Sequence, residues 1–169
     1  TIEFDHASNT LLFKDGPGGS GTNIELGAFS IYFKLNWSAS DTIGTEDLLE
    51  NAATTNHFFK ITSSTTARTK INGNRHDFTF DEITEGTPFV IGMERTSAGV
   101  ITVYVNNAAA TPDEGEGEQD VGDTLILTKF GKPTNVSYWY EVVILDDSLS
   151  SVNRGLLYEY LNGVGEDYI

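Results

Sequence analysis

The sequence predicts an all-β fold, in which two antiparallel sheets pack as a sandwich and a short C-terminal helix follows. Three observations favour this class. The 169 residues include 20 Thr, 12 Ser, 12 Asn and 17 Gly but only one Met, and this composition suits strands joined by tight turns. Apolar segments of strand length recur at intervals of roughly ten residues. Helical spacing of apolar residues stands out only near the C-terminus.

The strongest strand signal is Phe29–Trp37, where apolar side chains alternate over nine positions. Its apolar face is expected to enter the core, while the second face meets water or a neighbouring element and is more exposed. The other predicted strands are Ile2–Phe4, Thr10–Lys14, Leu48–Glu50, His57–Ile61, Ala67–Ile71, His76–Phe80, Phe89–Arg95, Val100–Val105, Leu125–Phe130 and Tyr138–Leu145.

Glycine and asparagine mark the turns between these strands. Asn72-Gly73 predicts a hairpin turn, and Gly99 can supply the positive φ of the turn after Arg95. Asn106-Asn107 ends the following strand, because Asn tolerates the left-handed region. The glycine-rich segment 16–21 and the acidic segment Thr111–Gly122 are predicted to be loops.

A helix is predicted over residues 151–162, with Ser150 as its N-cap and Gly163 at its end. Its apolar residues at helical spacing are Val152, Leu156, Leu157, Tyr160 and Leu161. A helix of about twelve residues is marginal in water by itself, so this stripe must lie against something. We expect it to pack on its own sandwich; the alternative is that it docks on another subunit.

Length and composition exclude several classes. The length favours one domain over residues 1–169. With 25 acidic and 10 basic residues, the net charge of −15 predicts no nucleic-acid partner. No apolar run approaches the roughly 20 residues of a membrane helix, so no membrane insertion is expected. The absence of Cys excludes disulfides, thiolate zinc sites and a thiol nucleophile.

The acidic segment offers a candidate calcium site, because calcium prefers six to eight oxygen ligands. The candidate ligands are Asp113, Glu114, Glu116, Glu118, Asp120 and Asp123. The spacing is not that of an EF-hand, because Gly115 occupies a ligand position. The alternative is a solvated acidic loop, and calcium is the one cofactor that the sequence indicates.

Three segments together resemble concanavalin A-like (laminin-G-like) domains of the lectin–glucanase superfamily. Phe89–Arg95 followed by Val100–Asn107 is similar to the core hairpin of that family, although Asn107 stands where Gly is usual and the usual Trp of the first strand is absent. The run from Trp139 to Ser150 resembles its last long strand, and Phe29–Trp37 its early aromatic strand. The resemblance implies a jelly roll of two antiparallel sheets, one of them concave, as found in glycan-binding modules, hydrolases, adhesion domains and virion surface proteins.

The glycoside hydrolases of this superfamily carry a strand with Glu-x-Asp-x-x-Glu, which places two carboxylates about 5–5.5 Å apart for a retaining mechanism. Neither Asp81–Glu85 nor Asp113–Asp123 has this pattern, and Glu141 is the only acid within the strand from Trp139 to Leu145. The histidines His6, His57 and His76 lack metal-ligand spacing and are expected at the surface or in turns. We therefore expect no enzymatic activity.

The aromatic run Tyr138, Trp139 and Tyr140 fits either a glycan platform or a bridge between the sheet and the helix, and we favour the bridge. The sequence then predicts a non-enzymatic binding or structural module, located on a virion surface or outside the cell. The favoured hypothesis is a surface protein of a virus or phage particle, for decoration or adhesion, with other virion or surface subunits as partners. The alternatives are a carbohydrate-binding, lectin-type domain of a secreted protein, with glycans as partners, and the less favoured glycoside hydrolase.

Overall fold

A computed structural model of the chain describes residues 2–5, 10–13, 23–37, 46–51, 53–113, 123–131 and 137–163. These residues form strands β1 (Ile2–Asp5), β2 (Thr10–Phe13), β3 (Ile24–Leu26), β4 (Phe29–Trp37), β5 (Glu46–Glu50), β6 (Phe58–Ser63), β7 (Thr66–Ile71), β8 (Asn74–Thr79), β9 (Phe89–Arg95), β10 (Ile101–Val105), β11 (Ala108–Ala109), β12 (Thr111–Pro112), β13 (Leu125–Leu127), β14 (Lys129–Phe130) and β15 (Ser137–Leu145), and helix α1 (Ser151–Gly163).

The strands form two main antiparallel sheets. The larger sheet has the order β1-β2-β14-β5-β6-β7-β8-β12, and the smaller has the order β11-β10-β9-β4-β15, with β13 and β3 as a separate pair. The chain crosses from the smaller sheet to the larger at Ala110, between β11 and β12. The predicted class, an antiparallel β-sandwich with a C-terminal helix, is confirmed. Within the described ranges, α1 is too short and too polar to cross a membrane.

Periodicity predicted the bounds of β4 and β9 to the residue. The turn predictions are also confirmed: Asn72, Gly73 and Gly99 have φ values of 48°, 90° and 86°. The prediction of a loop from Thr111 was wrong for its first two residues, which pair with β8 as β12. Strands β3 and β11 were not predicted, because two or three residues carry no readable period.

The core lies between the two sheets and is rich in aromatic side chains. The ring of Phe33, on β4, makes edge contacts with Trp139 of β15 and Phe130 of β14, at centroid distances of 5.5 and 6.4 Å. The ring of Trp37 stacks on Phe89 at 5.1 Å. These contacts join strands of both sheets, so the apolar face of β4 occupies the centre of the core as its alternation predicts.

The second face of β4 is not exposed as expected. Ser30, Tyr32 and Lys34 are all buried, at 0, 3 and 4% exposure. The segment before α1 covers Ser30, whose Oγ donates to the carbonyl of Asp147 (2.9 Å) and accepts from the amide of Leu149 (3.1 Å). The prediction failed because the helix and its leading segment lie across this face, a non-local contact that period two does not reveal.

An ion pair fastens α1 to the smaller sheet. The Nε and Nη2 atoms of Arg154 donate to the two carboxylate oxygens of Glu94 on β9, at 2.9 and 3.0 Å. Tyr32 donates its hydroxyl to the same carboxylate at 2.6 Å, and the guanidinium lies 4.0 Å from the ring centre of Tyr104. Burial is the main cause that raises the pKa of Tyr32 far above its usual range, which keeps the phenol protonated.

The apolar stripe of α1 is divided between two directions. Leu161 is fully buried and Leu157 packs beside it against the smaller sheet. Val152, Leu156 and Tyr160 face solvent, at 70, 61 and 57% exposure. The predicted intramolecular packing is therefore present, and Ser150 caps the helix as predicted by accepting from the amide of Asn153. The other apolar residues of the stripe, Val152, Leu156 and Tyr160, form a second row that is exposed to solvent.

Candidate functional site

A groove of about 480 Å³ opens at the rim of the sandwich, beside the point where the chain crosses between the sheets. This volume is in the range that accommodates small ligands. We call it the rim groove. It is lined by Thr79, Phe80, Asp81, Glu82, Val105, Asn106, Ala108, Ala109 and Thr111.

One wall is the segment that leaves β8. The amide of Phe80 donates to the carbonyl of Thr65 at 2.9 Å, and the amide of Ile83 donates to that of Ser64 at 2.8 Å. These bonds hold the segment against the turn between β6 and β7. The Phe80 ring packs against the core, while the carboxylates of Asp81 and Glu82 are exposed. The wall therefore places two exposed carboxylates on a hydrogen-bonded backbone segment, next in sequence to an aromatic residue.

The opposite wall is the turn between β10 and β11. Asn106 and Asn107 both have positive φ, 48° and 66°, as a tight hairpin turn requires. The side-chain Oδ1 atom of Asn106 accepts from the backbone amide of Val90 at 3.0 Å. The backbone amide of Asn106 donates to the carbonyl of Val90 at 2.9 Å. Because this bond orients the side-chain amide, the Nδ2 atom of Asn106 can act as the donor to a ligand.

The groove combines hydroxyl, amide and carboxylate groups with one aromatic ring. Among the described residues that line it there is no Lys or Arg, so this lining is unsuited to an anion. Carboxylates and amides pair well with the hydroxyl groups of a neutral polyol, and an aromatic ring supplies an apolar contact surface. The two carboxylates are adjacent in sequence and both exposed, without the contrast of environments that separates acid from nucleophile in glycosidases.

The predicted calcium ligands lie largely outside the described residues: Glu114, Glu116, Glu118 and Asp120 do so. Asp113 is exposed, and its amide donates to the carbonyl of Asp77 at 3.0 Å. Asp123 accepts from the side-chain amide of Asn72 at 2.8 Å. The described part of the chain contains no group of three or more His, Asp or Glu placed to hold a metal ion. The calcium site stays a prediction.

The expectation that the histidines lie at the surface or in turns was wrong for His76, which is buried within β8, whereas His57 does lie at a bend, before β6, and is also buried. His57 and His76 are buried, at 6 and 5% exposure, and His6 lies outside the described residues. The Nδ1 atom of His57 accepts from the amides of Asn72 and Ile126, both at 3.3 Å. Burial lowers the pKa of His57, although the charge of Asp123 opposes the shift. A buried imidazole with backbone donors explains His57 as a structural residue.

The aromatic run on β15 is divided by alternation and a bulge between Trp139 and Glu141. Trp139 points into the core and bridges the two sheets rather than the sheet and the helix, so the favoured interpretation was wrong for this residue. Tyr138 and Tyr140 are exposed, at 57 and 38%. Glu141 lies opposite Lys34 and is half-buried.

The sequence did not identify the rim groove. Asp81 and Glu82 were considered only as catalytic carboxylates, and Asn106 only as a strand end. The Asn106-Asn107 pair carried the available signal, since two successive Asn residues tolerate positive φ and are typical of a sharp turn with polar side chains. This turn lies beside the segment after β8 in the fold, but the two are distant in sequence, so no local pattern predicts that they meet.

Comparisons with known proteins place the fold. No protein-family model and no curated protein matches the chain. Among solved structures, it is similar to the binding domain of botulinum neurotoxin DC in complex with SialylT, with a TM-score of 0.58 and 13% identity. The same domain in complex with rat synaptotagmin II aligns with a TM-score of 0.55 and 13% identity. A structure from work on ganglioside-dependent cell entry of botulinum neurotoxin type C gives 0.51 and 12%.

Each of these alignments covers 95% of this chain and 45% of the other, so the chain spans less than half the length of those binding domains. At such identity the likeness shows the fold alone. It agrees with the β-sandwich that the sequence predicts.

Proposed function

We propose that this chain is a non-enzymatic binding module that holds a neutral saccharide in the rim groove. The observation that carries the proposal is the composition of the groove: Asp81, Glu82 and Asn106 line it together with Phe80, and its described lining includes no Lys or Arg. Specific saccharide binding needs a few fixed polar groups in a concave site of this size. The rigid hydrogen bonds of both walls supply that fixation.

The names of the similar structures support a recognition role outside the cell. Two of them are binding domains in complex with SialylT and with rat synaptotagmin II, and the third concerns cell entry that depends on interaction with two ganglioside molecules. For this chain we propose the same general class, an extracellular or particle-surface module that recognises its partner without transforming it.

A glycan array probed with the whole chain tests the proposal. We expect binding to neutral oligosaccharides, and an Asp81→Asn variant should weaken it about tenfold, equivalent to roughly 1.4 kcal/mol. Glu85→Gln is the matched control, because Glu85 is an exposed acid of the same segment that does not line the groove. Equal affinity of both variants, or release of reducing sugar from a bound glycan, would refute the proposal.

A second candidate is the surface of a virus or phage particle, where the chain would contact another subunit. The specific observation in its favour is the exposed row Val152, Leu156 and Tyr160 on α1, because apolar side chains at one helical face are typical of protein contacts. Leu156→Asp should abolish cosedimentation with particles while the melting temperature stays unchanged. Asn153→Asp, an exposed polar position on the same helix, is the control.

A further inference from the structure

The outer face of β6, β7 and β8 concentrates positive charge on a chain whose net charge is −15. Buried residues such as Phe59, Ala67 and Phe78 point into the core, so their sequence neighbours on these strands point outward. Four of the chain's ten basic residues lie there. This cationic face consists of Lys60, Arg68, Lys70 and Arg75.

The strand register places these four residues as two like-charge pairs. Lys60 lies directly opposite Arg68, and Lys70 lies directly opposite Arg75. Such cross-strand neighbours have Cβ atoms about 5 Å apart, and like charges in that position destabilise a sheet. The two pairs are adjacent rows, separated by two residues along β7, or roughly 7 Å. Four cations therefore share an area comparable to two sugar rings.

The described acids on this face do not balance its four cations. Asp77 accepts from Nε of both Arg68 (2.5 Å) and Arg75 (2.8 Å), so one carboxylate is shared by two guanidinium groups. Glu50 is paired with a different base, Lys129, at 2.8 Å. Asp47 lies opposite Lys60 and is partly buried; burial raises its pKa, and the charges of Lys60 and Lys129 act in the other direction. Two carboxylates, Asp77 and Asp47, therefore stand against four cations. A surplus of positive charge remains on the two rows.

Solvent reaches the cationic face. The side chain of Arg75 is 52% exposed and that of Arg68 is 30% exposed. Helix α1 packs on β9 and β4 of the other sheet. An aromatic ring completes the surface: Phe58 lies opposite Lys70 in the register, and the Nζ atom of Lys60 is 4.6 Å from its centre. Cations beside a partly exposed ring form a surface suited to a charged sugar.

We propose that the cationic face binds an oligosaccharide that carries carboxylate or sulfate groups, at a site separate from the rim groove. An anionic group placed between Lys70 and Arg75 relieves the repulsion that the register imposes, and the attached ring contacts Phe58. Positions that break the local rules of sheet stability mark function. A short anionic oligosaccharide suits this face better than a long polyanion, because the rest of the chain carries the acidic excess and repels the outlying segments of a long ligand.

Calorimetric titration of the whole chain tests this site with three tetrasaccharides: a heparin-derived one with sulfate and carboxylate groups, a hyaluronan one with carboxylates only, and neutral cellotetraose. We expect at least one anionic probe to bind and Lys70→Gln to weaken it about fivefold or more, with Lys60→Gln/Lys70→Gln weaker still, in low salt. Lys129→Gln is the matched control, since Lys129 is already paired with Glu50. Comparison of the two anionic probes shows which group is recognised.

The proposal is overturned if neither anionic probe binds, if Lys70→Gln binds as the unaltered chain does, or if duplex DNA of equal charge binds as tightly. Loss of anion binding in the rim-groove variant Asp81→Asn would also overturn it, by placing the ligand in the groove. Lys70→Gln leaves the Arg68–Asp77–Arg75 cluster and the contact of Lys60 with Phe58 intact, so its melting temperature should be equal or higher, which separates lost binding from lost folding. Failure of neutral glycans to bind the groove leaves this result unaffected.

Discussion

The outer faces of the two sheets differ in how their charged side chains are paired. On the smaller sheet, α1 covers Glu94: Arg154 of the helix donates two hydrogen bonds to its carboxylate, and Tyr32 donates a third. The ring of Tyr104 lies against the guanidinium of Arg154. On the larger sheet, Lys70 and Arg75 face each other in the open. The covered face can hold a charge pair only because the pair is complete. The open face tolerates an incomplete arrangement because water screens it, and this is where a ligand can act.

The largest effect should come from breaking the covered pair. Arg154→Ala leaves the buried carboxylate of Glu94 without its cation, and we expect a loss of about 3–5 kcal/mol in the free energy of unfolding. Arg75→Ala removes a base from the open face and should cost below about 1 kcal/mol. Urea denaturation of both variants measures the difference. Comparable losses would show that the two faces do not differ as described.

A second test compares two leucines of α1. Leu161 is fully buried, so Leu161→Ala should cost about 2–4 kcal/mol. Leu156 is 61% exposed, and Leu156→Ala should change the free energy of unfolding by less than about 0.5 kcal/mol. The same denaturation measurement decides. A large loss in the Leu156 variant would mean that the exposed row is covered in the isolated protein.

Lowering the pH should change the contribution of the open face to stability, through Asp77. The pKa of Asp77 is lowered: burial acts to raise it, but the hydrogen bonds and charges of Arg68 and Arg75 prevail. A depressed carboxyl pKa contributes stability that is complete above the ordinary value of 3.8 and is lost as the pH falls through the folded-state value. Asp77→Asn should therefore flatten the decline in melting temperature below about pH 4. An unchanged decline would contradict the assignment.

The smallest effect concerns the like-charge pair itself. Lys70→Gln removes the repulsion toward Arg75, so the melting temperature at low salt should rise slightly, by the equivalent of a few tenths of a kcal/mol. The gain should vanish near 1 M salt, where the Debye length is about 3 Å. Differential scanning calorimetry at both salt concentrations measures this. A fall at low salt would show that Lys70 has a stabilising partner.

Local sequence patterns predicted the strands and the turn that form the open face. The covered face depends on contacts between residues that are distant in sequence. Alternation located β4, β9 and the sheet cores, and the Asn72-Gly73 turn by itself places Lys70 opposite Arg75. The covered face could not be predicted, because Glu94 and Arg154 are 60 residues apart in sequence. The rim groove has the same limitation: its two walls come from different sheets, and no local periodicity joins Asp81 to Asn106.

The crossing at Ala110 has a consequence for association between chains. It makes β11 and β12 the terminal strands of their sheets, and each is only two residues long. Short strands, one of them ending in Pro112 without an amide proton, offer no template on which a foreign strand can grow. At the opposite end of the smaller sheet, β15 presents nine residues. Among the described strands of the smaller sheet, backbone-mediated strand addition is thereby directed to β15, where the bulge after Trp139 limits its register.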